Sequence, residues 1–155
     1  MLDLGELVSR ACRLGAARIR SAAHLVYEGA RAVRVRANAS TLLHAVLNVL
    51  FNAADACEAR RGARTIRVSI ETDAGGSAIV RVVDDGCGMS PAAAARAFDA
   101  FFTTKQGGTG LGLALAHRVV EEVGGRIELE TKHGSGTAVL MIFPAQERNA
   151  SALKT

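Results

Sequence analysis

Phe101-Phe102-Thr103-Thr104-Lys105-Gln106-Gly107-Gly108-Thr109-Gly110-Leu111-Gly112-Leu113 is the stretch on which the reading of the fold turns. Glycines running into a helix leave several backbone N–H groups exposed, and the helix end adds partial positive charge, so the segment suits a phosphate. A flexible lid is the plain alternative for such a run. It is not a dinucleotide-binding fingerprint, because no strand precedes it and the spacing does not fit. Nor is it a P-loop, because no Gly-Lys-Ser/Thr follows.

Composition agrees with loops built from backbone. Of 16 glycines, 12 fall between Gly75 and Gly136. A length of 155 residues argues for one domain with a real core, and 49% hydrophobic with 22% charged residues excludes a disordered chain. The net charge of +4 lies wholly in residues 1–36, where seven arginines outnumber Asp3, Glu6 and Glu28. A basic end invites a nucleic-acid reading, but only Tyr27 there could stack on a base, and a solvated face explains the charge as well. Cys12, Cys57 and Cys87 have no CxxC spacing, which argues against a disulfide framework or a zinc site. No basic-then-apolar leader opens the chain and no apolar run approaches the roughly 18 residues of a membrane span. The expectation is a soluble, cytoplasmic domain, any anchor lying outside these residues.

Periodicity predicts the elements. Leu4, Leu7, Val8, Ala11 and Cys12 keep helical spacing over residues 3–15. Residues 20–27 and 32–36 read as a short hairpin around Glu28-Gly29. Ser40 or Thr41 would cap a long helix to about Ala59. Residues 65–72 alternate, turn at Asp73-Ala74-Gly75-Gly76 and return over 78–83 as a second hairpin. Ser90-Pro91 starts a helix, another spans 111–123 before Gly124-Gly125, and strands follow over 126–131 and 137–143. Residues from 147 read as a flexible tail. Hairpins with interspersed helices argue for α+β, one mixed sheet with helices on one face.

Two further patterns bear on chemistry. The long helix carries a polar stripe, His44, Asn48, Asn52 and Asp55, with Asn48 and Asn52 about 40° apart on the helical wheel. Asparagine is a modest helix former, so the stripe reads either as a solvent-facing edge or, given how little else of the helix is polar, as a cleft lining. The strand Val82-Val83 ends in Asp84-Asp85, followed by Gly86-Cys87-Gly88-Met89. Such glycines allow a sharp turn and a close ligand, and a strand-end carboxylate can accept from a base amine. A plain Asp-Gly turn is the alternative.

In this order and separation, the Asn-rich helix, the Asp84-x-Gly86-x-Gly88 strand end, the Phe98–Phe102 cluster, the Gly108–Leu113 run and the final Gly134-Ser135-Gly136-Thr137 resemble one family. They are similar to the N, G1, F, G2 and G3 boxes of the ATP-binding catalytic domain of sensor histidine kinases. That fold is shared with gyrase, heat-shock chaperone ATPases and mismatch-repair ATPases. The resemblance runs from about Asp3 to Pro144 and implies a two-layer α/β sandwich of the GHKL type (Bergerat fold), with an ATP-binding domain over residues 1–146.

The resemblance also implies roles. Asn52 would coordinate Mg²⁺ on ATP, and Asp84 would accept from the adenine amine, with Gly86 and Gly88 letting the base approach. Gly108, Thr109, Gly110, Leu111, Gly112 and Leu113 would surround the phosphates, and Lys105 would add charge there. Met89, Thr103, Thr104 and Thr137 complete the expected cofactor contacts, and Phe98, Phe101 and Phe102 would anchor a lid that orders on nucleotide binding. Asn48 stands where the ATPase branches carry a water-activating Glu, so transfer is favoured over hydrolysis. Asn48, Asn52 and Lys105 form the expected catalytic set. Asp55 departs from the basic residue many relatives carry. None of His24, His44, His117 and His133 has the phosphoacceptor context of a following acid and proline, so the acceptor histidine would sit on a separate dimerisation domain, with a response regulator downstream. No nucleic acid or membrane contact is expected, and the isolated domain should be monomeric. A protein serine kinase of the same fold and a non-catalytic nucleotide scaffold remain as alternatives.

Overall fold

The computed structural model describes residues 1–29 and 32–146. The tail expected from residue 147 lies outside the described residues. Side-chain caps set the starts of the first two helices. A two-residue strand β1 (Leu2–Asp3) ends at Asp3, whose carboxylate accepts the Glu6 N–H at 3.1 Å and opens α1 (Leu4–Arg20). After β2 (His24–Glu28) and β3 (Arg34–Val35), Asn38 accepts the Thr41 N–H at 3.0 Å and opens α2 (Ala39–Glu58). The cap is thus Asn38 and not Ser40 or Thr41, because the chain turns helical two residues earlier.

Two further expectations need correction. Helix α1 continues five residues past 15, since its apolar series runs on through Gly15 to the fully buried Ile19. Gly15 packs under α2, where an added Cβ would meet Phe51 Cε1 and Ile19 Cδ1 at 3.3 Å. The expected hairpin over 20–27 and 32–36 does not form. β3 pairs with β1, and β2 runs parallel to β4 (Thr65–Thr72), with Leu25 opposite Ile66. The physical reason is the crossover: α2 carries the chain across one face, and a helix-length connection returns the next strand parallel to β2.

The rest follows the alternation read in the sequence. β4 turns at Asp73 into β5 (Ala78–Asp84), α3 (Pro91–Ala95) is capped by Ser90, and α4 (Gly112–Glu122) precedes β6 (Arg126–Lys132) and β7 (Gly136–Phe143). The main sheet has the order β2-β4-β5-β7-β6, parallel only between β2 and β4. This is the mixed sheet with one helical face that the sequence predicted. Ile66, Val68, Val80, Val82, Met141 and Phe143 point from it against Val8 and Ile19 of α1, Val46 and Leu50 of α2, and Val120 of α4. Each such side chain contributes about 1.5–3 kcal/mol on burial. The opposite face carries surface pairs such as Arg67–Glu28 at 2.7 Å and Arg126–Glu128 at 2.8 Å. Among the described residues no helix is long and apolar enough to cross a membrane.

Leu50 is fully buried between α2 and its neighbours. Leu50→Ala is expected to cost about 2–5 kcal/mol, read as a lower urea midpoint at unchanged slope.

Candidate functional site

The polar stripe of α2 faces a cleft of about 560 Å³. Asn48, Asn52 and Asp55 line one wall, the loop after β5 lines the floor, and the segment between α3 and α4 closes the other side. All the predicted site residues line this cleft except Asp84, Gly86, Phe98 and Leu111. His44, the first member of the stripe, is exposed and outside it.

Asp84 ends β5 directly opposite Thr137 of β7. It is one of two buried polar residues among those described, Thr137 being the other. Burial pushes its carboxyl up to about 6, against the pull of the Gly86 and Thr137 backbone N–H groups. The Gly86 N–H donates to Asp84 Oδ1 at 2.9 Å. Beside it, the hydroxyls of Thr137 and Thr131 lie 2.8 Å apart, and Thr131 Oγ1 accepts the Met89 N–H at 3.0 Å. The neighbouring Asp85 has a different task. Its carboxylate accepts the Thr65 N–H at 2.9 Å, and its carbonyl accepts from Arg60 and Arg64 at 2.9 and 3.2 Å.

The glycines of this loop are required by the chain itself, a reason for them that the sequence did not show. A Cβ on Gly86 would lie 2.5 Å from the Ala56 carbonyl carbon, and one on Gly88, at φ 65°, would lie 2.0 Å from the Lys132 carbonyl oxygen. Between them Cys87 is fastened on both sides: its N–H donates to Ala56 O at 3.1 Å, and its carbonyl accepts the Gly134 N–H at 2.7 Å. The loop is therefore held between α2 and the β6–β7 turn.

The glycine-rich segment is clamped at its base. The Phe101 N–H donates to Gly110 O at 2.9 Å, and Gly110, at φ 71°, has no room for a Cβ beside Phe101. Phe98 stacks on His117 of α4 at 5.0 Å, and Arg96 sits over Phe102 at 4.5 Å. Phe101, expected as an anchor, is 77% exposed. Its left-handed φ of 67° turns the side chain outward to make the clamp with Gly110. Helix α4 then begins with no side-chain cap at Leu111, so its first N–H groups are available at the cleft wall formed by Gly112 and Leu113. Leu111 itself lies outside the lining, its N–H 3.4 Å from Thr109 Oγ1.

Lys105 reaches across the cleft. Its Nζ donates to Asn52 Oδ1 at 2.9 Å and to Asp55 Oδ2 at 2.6 Å. Asp55 also pairs with Arg18 of α1, which holds Glu58 at 2.8 and 3.1 Å. Two hard oxygens, one amide and one carboxylate, thus converge on a single cation. Of the two, the Asn52 amide oxygen suits Mg²⁺ completed by phosphate and water oxygens. The pair does not suit a cage made wholly by protein, and no group of three His, Cys, Asp or Glu side chains could hold a metal among the described residues. Arg18, Glu58 and Thr131 escaped the sequence reading, and Asp85 was read only as part of the strand end. Arg18 stood among surface arginines, and nothing local marks its pairing with a residue 37 positions away.

The profile of the family "Histidine kinase-, DNA gyrase B-, and HSP90-like ATPase" matches residues 37–147. The signal transduction histidine-protein kinase AtoS of Escherichia coli is 34% identical over 110 residues, covering 71% of this chain and 18% of that protein. The mycobacterial sensor histidine kinase MprB superposes with a TM-score of 0.79 at 28% identity, covering 94% of this chain and 96% of the other. Full-length ShkA in complex with AMPPNP gives a TM-score of 0.78 at 26% identity, over 92% of this chain and 30% of that one. The chain spans 17% to 24% of the length of the curated relatives it resembles first.

Two glycine positions separate packing from site geometry. Gly88→Ala is expected to lower stability by about 2 kcal/mol or more, because neither its φ nor its neighbour can yield cheaply. Gly112→Ala, whose Cβ would meet only Asn48 at 3.8 Å, should melt within about 0.5 kcal/mol of the parent. Thermal denaturation of both variants checks the contrast.

Proposed function

The chain belongs to the family of histidine kinase-, DNA gyrase B- and HSP90-like ATPases, and from that premise we propose that residues 1–146 are the catalytic domain of a sensor histidine kinase. It binds ATP·Mg²⁺ and presents the γ-phosphoryl group to a histidine on a separate dimerisation domain, for onward transfer to a response regulator. The observation that carries this reading is the convergence of three elements on one cleft: the Asn48–Asn52–Asp55 stripe, the region of the buried Asp84, and the uncapped start of α4.

Each element has a chemical task. Asp84, paired opposite the cleft-lining Thr137, receives the adenine amine together with the Cys87–Met89 loop. Asn52 offers its amide oxygen to Mg²⁺, with Asp55 beside it. A Mg²⁺ held there would supply neutralisation of phosphate charge. The backbone N–H groups of Gly108–Leu113 and the α4 terminus meet the phosphates, where their partial positive charge is already oriented. Thr103, Thr104 and Thr109 add hydroxyls at the same wall, and Lys105 adds a point charge. Phe98, stacked on His117 outside the cleft, ties the lid to α4. Asn48 faces Gly112 at the start of α4 but cannot accept a proton, which supports transfer to an external nucleophile over activation of water. Catalysis is then positioning and charge neutralisation. The curated relatives are named sensor and signal transduction histidine kinases, which supports a domain working on the cytoplasmic side of a sensor.

Two measurements test this. The chain alone should bind ATP by calorimetry without labelling itself, and acid-labile phosphate should appear only on an added histidine-bearing helical domain. Acid-stable phosphate on serine would assign a serine kinase instead, and absence of binding would leave a scaffold. Because the ionised Asp84 accepts from adenine more strongly than the protonated acid and titrates at about 6, affinity should be flat above pH 7. Below about 6 it should fall as the carboxyl protonates, by at most about tenfold per pH unit. Asp84→Asn should bind weakly at every pH, and a parent affinity unchanged down to pH 5 would remove Asp84 from the base contact.

A further inference from the structure

A line of alternating charge joins three elements that sequence keeps far apart. Glu58 and Asp55 lie on α2, Arg18 on α1, and Lys105 in the lid. Arg18 grips Glu58 with both terminal nitrogens and Asp55 with one of them. The remaining Asp55 oxygen takes Lys105 Nζ at 2.6 Å, and the same ammonium donates to Asn52 Oδ1 at 2.9 Å. We propose that Asp55 is a positioning residue: it docks Lys105 beside Asn52, latching the lid across the cleft, and nucleotide phosphates open the latch by taking the lysine. The proposal rests on the nucleotide reading above and explains why an acid stands at position 55.

The geometry sets the order of contacts. While Nζ donates to Asn52 Oδ1, a divalent cation cannot approach that oxygen, because the two positive charges would lie within one contact distance. Departure of Lys105 and use of Asn52 as a metal ligand are therefore linked. Arg18 makes the exchange affordable for Asp55. Once the lysine has moved to the phosphates, the carboxylate keeps a guanidinium partner that Glu58 holds in place, so it neither swings into the cleft nor stands unpaired before the incoming anion. The Lys105 and Asp55 side chains are 40% and 32% exposed, so the pair is screened and readily reversible, as a latch must be.

The test compares the parent, Asp55→Asn, Lys105→Met and the double variant, after thermal melts establish that each is folded. Without nucleotide, hydrogen exchange of residues 101–112 should rise about threefold or more in both single variants and no further in the double. In EDTA, calorimetry with ATP should show Asp55→Asn binding about threefold tighter than the parent, and Lys105→Met weaker. The gain from Asp55→Asn should vanish in the Lys105→Met background. A gain of equal size in both backgrounds would reduce Asp55 to a general negative charge, and unchanged lid exchange or weaker metal-free binding in Asp55→Asn would also overturn the latch. If the parent binds no ATP the nucleotide reading fails, while the exchange data still decide the latch.

Discussion

The site depends on one backbone contact. The Gly86-Cys87-Gly88 loop lies against the last turns of α2 so closely that a Cβ on Gly86 would stand 2.5 Å from the Ala56 carbonyl carbon. The Cys87 N–H to Ala56 O bond and the Gly134 N–H to Cys87 O bond fix the loop from both sides. This junction sets the distance between the end of β5, with its carboxylate, and the amide-bearing face of α2. Glycine is the only residue that permits it, so the spacing of these glycines records chain packing first and ligand access second.

Around that junction the polar groups divide by burial. Asp84, dry and held by backbone N–H groups, carries a raised pKa. Asp85, one residue on, spends its carboxylate on Thr65 and its carbonyl on two arginines, and so ties the strand end to the α2–β4 connection. Alternation along the strand separates the two tasks, since successive side chains leave opposite faces. On the open side of the cleft the groups are wetter and mobile partners are possible. There Lys105, Asp55 and Arg18 meet as exchangeable ion pairs, where binding and release of an anion need inexpensive contacts.

Much of this was legible locally. The β4–β5 hairpin, the helix started by Ser90-Pro91 and the glycine stop after α4 each rest on signals within a few residues, and each stands where the sequence put it. The stripe of Asn48, Asn52 and Asp55 followed from helical geometry, and its cleft-lining alternative is the one observed. The errors have different causes. Residues 20–36 looked like a hairpin because two short extended segments flanked Glu28-Gly29, yet their partners, β4 and β1, lie elsewhere in the chain. The family resemblance implied that Phe101 anchors the lid, yet it stands exposed at a left-handed φ.

The amino-acid sequence alone determined the fold class, the family resemblance and the residues that gather at the cleft. Periodicity, caps and glycine spacing are short-range properties, and the order of the motifs is a linear one. The tertiary structure decided which strands pair in parallel, why the loop glycines are glycines, and what Asp55 touches. Those facts depend on contacts between segments tens of residues apart: Gly86 on Ala56, Leu25 on Ile66, Arg18 and Lys105 on Asp55. Nothing in a local sequence pattern encodes a distance between two such segments. Only the packing of α1, α2 and the lid around one sheet brings those charges and backbones to contact.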